Sequence, residues 1–245
     1  AISSEFLTFL ERFLISSIAI VAVVGYHVGL PLFGGGFVGV DVFFVISGFL
    51  ITGLLVAEVQ RDGHVSLARF WARRARRLLP AATLVLGVVA VLSWFALPRL
   101  DHRSAGLDVI ASALYVSNIR FAAQATDYLA ADAAPSPVLH FWSLGVEEQF
   151  YVVWPLLVLA VALIARRRRV DAAGVRRRSL AVALAVLGAV SFALSLWLTA
   201  RAQPWAFFGM PTRAWEFALG GLLAIGATQL HRLPVLARRA AGWLG

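Results

Sequence analysis

Six stretches of this chain, about 7–28, 37–57, 78–98, 138–165, 178–200 and 211–230, are each apolar over roughly the 20 residues that an α-helix needs to cross a bilayer. Lipid offers the backbone no hydrogen-bond partner, so such stretches must close their own bonds as helices. The predicted fold is all-α, a polytopic transmembrane bundle of about six spans in residues 1–245. Composition agrees: 60% of the 245 residues are hydrophobic, 14% are charged and mean hydropathy is +0.82, too apolar for a soluble domain of this size.

Charge then orients the bundle. The segments 58–77 (EVQRDGHVSLARFWARRARR), 166–178 (RRRRVDAAGVRRR) and 231–239 (HRLPVLARR) are rich in arginine, whereas 29–36 (GLPLFGGG) carries no charge. Alternate connections therefore face the cytoplasm, with the N-terminus inside. The stretch around 104–122 (SAGLDVIASALYVSNIRFA) is moderately apolar but interrupted by Asp108, Asn118 and Arg120. Were it to span, both later arginine-rich loops would face outward, so it is expected to lie as an interfacial helix on the outer side. The final LPVLARRAAGWLG reads as a loop followed by the start of another span, as in the front part of a longer bundle.

Several function classes drop out. All 22 basic residues are arginine against 13 acidic ones, a net charge of +9, but their confinement to runs between apolar segments is a topology signal and not a nucleic-acid footprint. The chain has no cysteine, hence no disulfide and no thiolate metal site, and its five histidines show no paired ligand spacing; no metal and no tightly bound cofactor are expected.

Ionisable residues inside apolar spans are costly, which makes them functional candidates. His27 falls at the outer end of the first span and Asp41 near the outer start of the second, joined by a short connection. A carboxylate that fixes the tautomer of a histidine prepares it as a general base for an alcohol. The alternative is a pair of interfacial residues wetted by water. In HFWSLGVEEQFYVVWP (140–155) Glu147 and Glu148 are adjacent and so point about 100° apart on a helix; one is expected to meet a cavity and the other an arginine or a backbone group, unless they form a structural ion pair. His140 and Ser143 precede them as further polar candidates. The run RFWARRARRLLP sets Arg69, Arg73 and Arg76 or Arg77 on one helical face, suited to a polyphosphate or, more plainly, to topology and anionic headgroups. Arg213 and Glu216 in MPTRAWEFALGG have the spacing of an intrahelical ion pair.

VVGYHVGLPLFGGGFVGVDVFFVISGFLITGLL, FWARRARRLLPA, LHFWSLGVEEQFYVVWP and MPTRAWEFALGGLLA, taken together and in order, resemble the acyltransferase-3 family of bacterial membrane O-acyltransferases over about residues 18 to 228. The resemblance implies a bundle of about ten spans in the bacterial cytoplasmic membrane. It implies transfer of an acyl group, commonly acetyl, from cytoplasmic acyl-CoA as co-substrate to a hydroxyl of an extracytoplasmic glycan or glycolipid. It assigns His27 to the catalytic histidine, Arg74 and Arg77 to the Arg-x-x-Arg pair near the acyl donor, and Glu147 to a Glu-Glu-Gln motif; the reading of the residues adds Asp41 beside His27 and Arg73 beside the arginine pair. The family pattern Arg-x10-His finds Ser16 where the arginine belongs, and Arg12 lies one turn earlier on the same face. The rival reading from the residues alone is a non-enzymatic membrane carrier or scaffold whose polar residues line a path.

Overall fold

In a computed structural model the described residues are 17, 19–26, 28–127, 135–167 and 173–230. Among them the chain is helical with no strand: α1 over 19–26, α2 Gly39–Asp62, α3 Leu67–Ala96, α4 His102–Ala113, α5 Ser117–Thr126, α6 Phe141–Arg167, α7 Ala173–Thr199, the short α8 Gln203–Phe208 and α9 Met210–Leu230. Four stretches are long and apolar enough to cross a membrane: Gly36–Asp62, Leu67–Ala96, Phe141–Ile164 and Arg177–Thr199. The sixth expected span is α9, which is less apolar because Arg213 and Glu216 fall in its first two turns. Much of the first expected span lies outside the described residues. Together the helices make a multi-pass membrane chain.

The helices overrun the apolar windows. The arginine run reads as a loop by hydropathy, yet α2 continues to Asp62 and α3 begins at Leu67, leaving a connection of only a few residues. Arginine is a good helix former, so a helix leaving the apolar layer has no reason to stop at the first charge. The tight turn is held by Gly63, at φ +72°, and by the buried Glu58, which accepts the Ser66 N–H at 3.0 Å and pairs with Arg73 at 3.8 Å.

The contacts divide the chain into two compact units, one ending at Leu54 and resuming at Glu216, the other running Leu55–Trp215. Glycines build the first. Gly36 and Gly39 bring the start of α2 against the backbone of Ala22 and Ala19 in α1, where a side chain at either position would collide. Gly48 of α2 sits on the backbone of Phe217, and Gly220 of α9 on that of Val45 and Phe49, with the Phe44 and Phe217 rings stacked at 4.7 Å between them. In lipid, helices associate through close packing of this kind because apolar side chains gain little by leaving an apolar solvent.

The second unit packs α3 against α4, α5 against α6 and α8, and α7 against α6 and α8. Where one outer helix over 104–122 is expected, the chain forms two, parted at Tyr115. The polar residues that interrupt this stretch satisfy one another: Arg120 Nε donates to the buried Asp108 at 2.5 Å, Gln124 donates to the same oxygen at 3.2 Å, and Asn118 bonds the Phe208 carbonyl at 3.0 Å. Ser191 of α7 is inserted into the first turn of α9, donating to the Pro211 carbonyl at 2.6 Å and accepting the Trp215 N–H at 3.0 Å.

The glycine contacts carry a direct test. Gly48→Ala places a methyl group against the Phe217 backbone and should destabilise the protein by about 1–3 kcal/mol, seen as a lower unfolding midpoint in detergent. Gly53, on the same helix, has open space around it, so Gly53→Ala should be neutral or stabilising by up to about 1 kcal/mol.

Candidate functional site

Helix α6 is the axis of the site. Pro155 lies inside it and has no N–H, so the carbonyl of Tyr151, four residues earlier, loses its helical donor. The indole Nε1 of Trp71 fills that place from α3 at 3.0 Å. This registers α3 on α6 and brings Arg74, one turn beyond Trp71, over the Tyr151 ring with its guanidinium carbon 3.8 Å from the centroid. The same guanidinium lies 6.0 Å from the ring of Phe70, which is buried. The Tyr151 hydroxyl in turn donates to Glu147 one turn back on α6.

Ser143, Glu147 and Tyr151 recur every fourth residue and so share one face of α6. That face reaches about 12 Å along the helix axis, at 1.5 Å per residue, and ends at the arginine from α3. Glu148, about 100° around the helix, has a buried Oε1 that makes no hydrogen bond among the described residues, and the charges that act on it are Glu147 and Arg74. Where one glutamate is expected to meet a cavity and the other an arginine or a backbone group, Glu147 bonds a phenol and Glu148 keeps one oxygen without a donor among the described residues.

Tyr115 approaches Glu148 from the turn between α4 and α5. It closes α4 with the bonds Val116 N–H to Ala111 C=O at 2.9 Å and Tyr115 N–H to Ser112 C=O at 3.1 Å, a Schellman cap in which the left-handed position is normally glycine. Tyr115 occupies it at φ +55°, an outlier for a bulky residue. Its carbonyl accepts Gln149 Nε2 at 3.0 Å, and that amide also donates to Asn118 Oδ1 at 2.8 Å. Burial, with the negative charge of Glu148 behind it, raises the Tyr115 phenol above its ordinary pKa.

The other sequence candidates are placed as follows. Arg73 belongs to the Glu58 pair, Arg77 is exposed on α3, and Arg76 folds back on the Ala72 carbonyl at 3.2 Å, so Arg74 alone of this run stacks on Tyr151. His140 is exposed at the start of α6 and its carbonyl accepts the Ser143 hydroxyl at 3.2 Å. Arg213 lies 5.8 Å and 5.1 Å from the rings of Trp142 and Phe207 and donates to the Phe207 carbonyl at 3.1 Å. Asp41 is half-buried in the first turn of α2, in the first unit, where the helix dipole favours a carboxylate. His27, Arg12 and Ser16 lie outside the described residues, and the His27–Asp41 pairing with them. Tyr115, Tyr151 and Trp71 are absent from the sequence candidates. Pro155 was the usable signal for Trp71 and Tyr151, since a mid-helix proline announces a carbonyl in need of a donor four residues earlier. For Tyr115 the sequence carries none.

A multi-pass helical chain with an arginine from one membrane face stacked against an intramembrane tyrosine and carboxylate pair defines the class. The chain belongs to the acyltransferase-3 family, whose acyltransferase domain matches it over residues 16–244. It is 34% identical over 225 residues to the peptidoglycan O-acetyltransferase OatA of Listeria monocytogenes, covering 91% of this chain and 35% of that one. It is 35% identical over 210 residues to the putative peptidoglycan O-acetyltransferase YrhL of Bacillus subtilis, covering 84% and 31%. To the O-acetyltransferase OatA of Staphylococcus aureus it is 41% identical over 140 residues, 57% and 23% of the two chains. The chain spans about a third of the length of the first two of these relatives. No solved structure matches it.

The left-handed Tyr115 yields a stability prediction. Tyr115→Gly removes the steric conflict that Tyr115→Ala keeps, so the glycine variant should be the more stable of the two by about 1 kcal/mol. Thermal unfolding of both in the same detergent reads this out; equal midpoints would mean that the cap stores no strain.

Proposed function

We propose that the chain is the membrane part of an O-acetyltransferase that takes an acetyl group from acyl-CoA at a cytoplasmic, arginine-rich face and passes it to a hydroxyl of a cell-wall glycan beyond a bacterial cytoplasmic membrane. Family membership supports the acyl transfer, and the relatives' names support acetyl and peptidoglycan. The observation that carries the reading is the polar face of α6, Ser143 to Tyr151, ending on Arg74. It joins the end of α3 that holds the arginines to carboxylates within the apolar layer.

In this reading Arg74 and Arg77 bind donor phosphate, for which a guanidinium offers two parallel N–H bonds that a lysine cannot. Arg74 is held by the Tyr151 ring, which limits its conformers and leaves its N–H groups free at the ring edge. His27, oriented by Asp41, removes the proton from the acceptor hydroxyl as its oxygen attacks the acyl carbonyl and the CoA thiolate leaves. Glu147 and Glu148 supply negative potential beside the Arg74 end.

In the full-length protein, His27→Ala should lower acyl transfer by about 10²–10⁴-fold while acyl-CoA binding persists. Arg74→Ala combined with Arg77→Ala should weaken acyl-CoA binding without unfolding, and Arg74→Lys should restore it only in part. Retention of full transfer by His27→Ala would refute the catalytic assignment; unchanged CoA affinity in the arginine pair would return it to topology. The orientation has its own check, the chain having no thiol of its own. Ala125 on α5 and His64 in the turn between α2 and α3 are both exposed. In intact cells a membrane-impermeant maleimide should label Ala125→Cys and spare His64→Cys, and the reverse pattern would invert the proposed map.

A further inference from the structure

A second site lies at the arginine-rich end of the second unit, away from the α3–α6 contact. The last turns of α2, the C-terminal half of α6 and the start of α7 enclose a half-open cavity of about 350 Å³. Apart from Gln60 and Arg177 its wall is apolar, with Val59, Val158, Val161, Ala162 and Leu180. The Nη2 of Arg177 is buried and has no hydrogen-bond partner among the described residues. None of the described residues lining the cavity is acidic, and the carboxylates beside it on α2 are committed elsewhere, Glu58 to Ser66 and Arg73 and Asp62 to Arg61. A guanidinium nitrogen buried beside a cavity without a counter-charge is a strong demand for an anion, since an unpaired charge taken from water is among the most costly features a fold can carry.

From the cation and the hydrocarbon wall together, we infer that this cavity holds an anionic phospholipid, its phosphodiester on Arg177 and part of one acyl chain along Val158, Val161, Ala162 and Leu180. A free phosphate would answer Arg177 but leave the apolar wall wet. Position favours a lipid as well: Arg177 is the first residue of an apolar span, and α2 reaches the end of its own span at Asp62, so the cavity lies at headgroup depth with its apolar wall toward the hydrocarbon. The volume suits a chain segment and falls within the range of small-molecule sites. None of its lining residues comes from α3, which separates it from the arginines assigned to the acyl donor, and the inference stands whether or not that assignment does.

The test is lipid occupancy of the full-length protein by native mass spectrometry in mixed micelles, titrated with dioleoylphosphatidylglycerol or dioleoylphosphatidylcholine. Both lipids carry the phosphodiester, but the trimethylammonium of phosphatidylcholine cancels its net negative charge and repels the Arg177 guanidinium, so phosphatidylglycerol should bind about tenfold tighter than phosphatidylcholine. Arg177→Gln should abolish the difference, whereas Arg178→Gln, at an exposed neighbour, should keep it. Ala162→Trp fills the cavity and leaves the arginine in place, so it should also lose phosphatidylglycerol; with the wild-type comparison it decides the matter even if Arg177→Gln fails to fold. Equal binding of the two lipids, or full binding by Arg177→Gln or Ala162→Trp, overturns the inference. Displacement of phosphatidylglycerol by inorganic phosphate, or by acetyl-CoA at comparable concentration, would assign the pocket to a soluble phosphate or to the donor instead.

Discussion

Tyr151 is gripped at three points, and the second unit is arranged around those grips. Its carbonyl, left without a helical donor by Pro155, takes the Trp71 indole; its ring carries Arg74; its hydroxyl donates to Glu147. Each contact would be modest in water. In an apolar layer each replaces a group that would otherwise lack any partner, and there the cost of the unmade bond decides the arrangement. The position of α3 along α6 follows from the single carbonyl, because a shift by one residue in either direction would move Trp71 off it and Arg74 off the ring.

The same rule separates the ways in which the two units cohere. In the first, helices meet through glycine backbones, at Gly36, Gly39, Gly48 and Gly220, and what holds them is contact area at short range. In the second, they meet through polar groups that satisfy one another, such as Asp108 with Arg120 and Gln124, or Asn118 with Gln149 and the Phe208 carbonyl. Small residues let helices approach, and paired polar residues fix how far one slides along another. A binding site needs the second kind of constraint more than the first, since register sets which side chains converge.

Hydropathy and charge made the helical class and most of the spans legible in the sequence, because in a bilayer composition and backbone satisfaction are tied. What they could not show was where the helices end. Arg69 to Arg77 look like a loop to a hydropathy window, and become the first turns of α3 because nothing in an arginine run opposes a helix. Arg74 and the glutamates were legible as intramembrane or membrane-edge charges, but which arginine meets which partner was not. The fourfold spacing that places Arg69, Arg73 and Arg77 on one face leaves Arg74 at its edge, three residues from Arg77, and it is Arg74 that the α3–α6 contact selects. Tyr115 was illegible for a different reason. Helix caps favour glycine at the left-handed position, so a tyrosine there runs against local preference and is maintained by the surrounding contacts alone.

Those contacts point the Tyr115 backbone at Gln149 and bring its phenol under the influence of Glu148, one residue earlier on α6. A strained cap and a carboxylate oxygen without a hydrogen bond thus occur together, at the level where the polar face of α6 passes from the arginine side to the α4–α5 side. Each is unfavourable by itself. Their coincidence beside α6 marks a stretch where local stability has been given up, as strained and unsatisfied groups are at functional sites. The Glu148 oxygen beside the Tyr115 turn, without a hydrogen bond among the described residues, leaves an acceptor open to a group from outside the fold, which a fully paired network such as Asp108 with Arg120 does not.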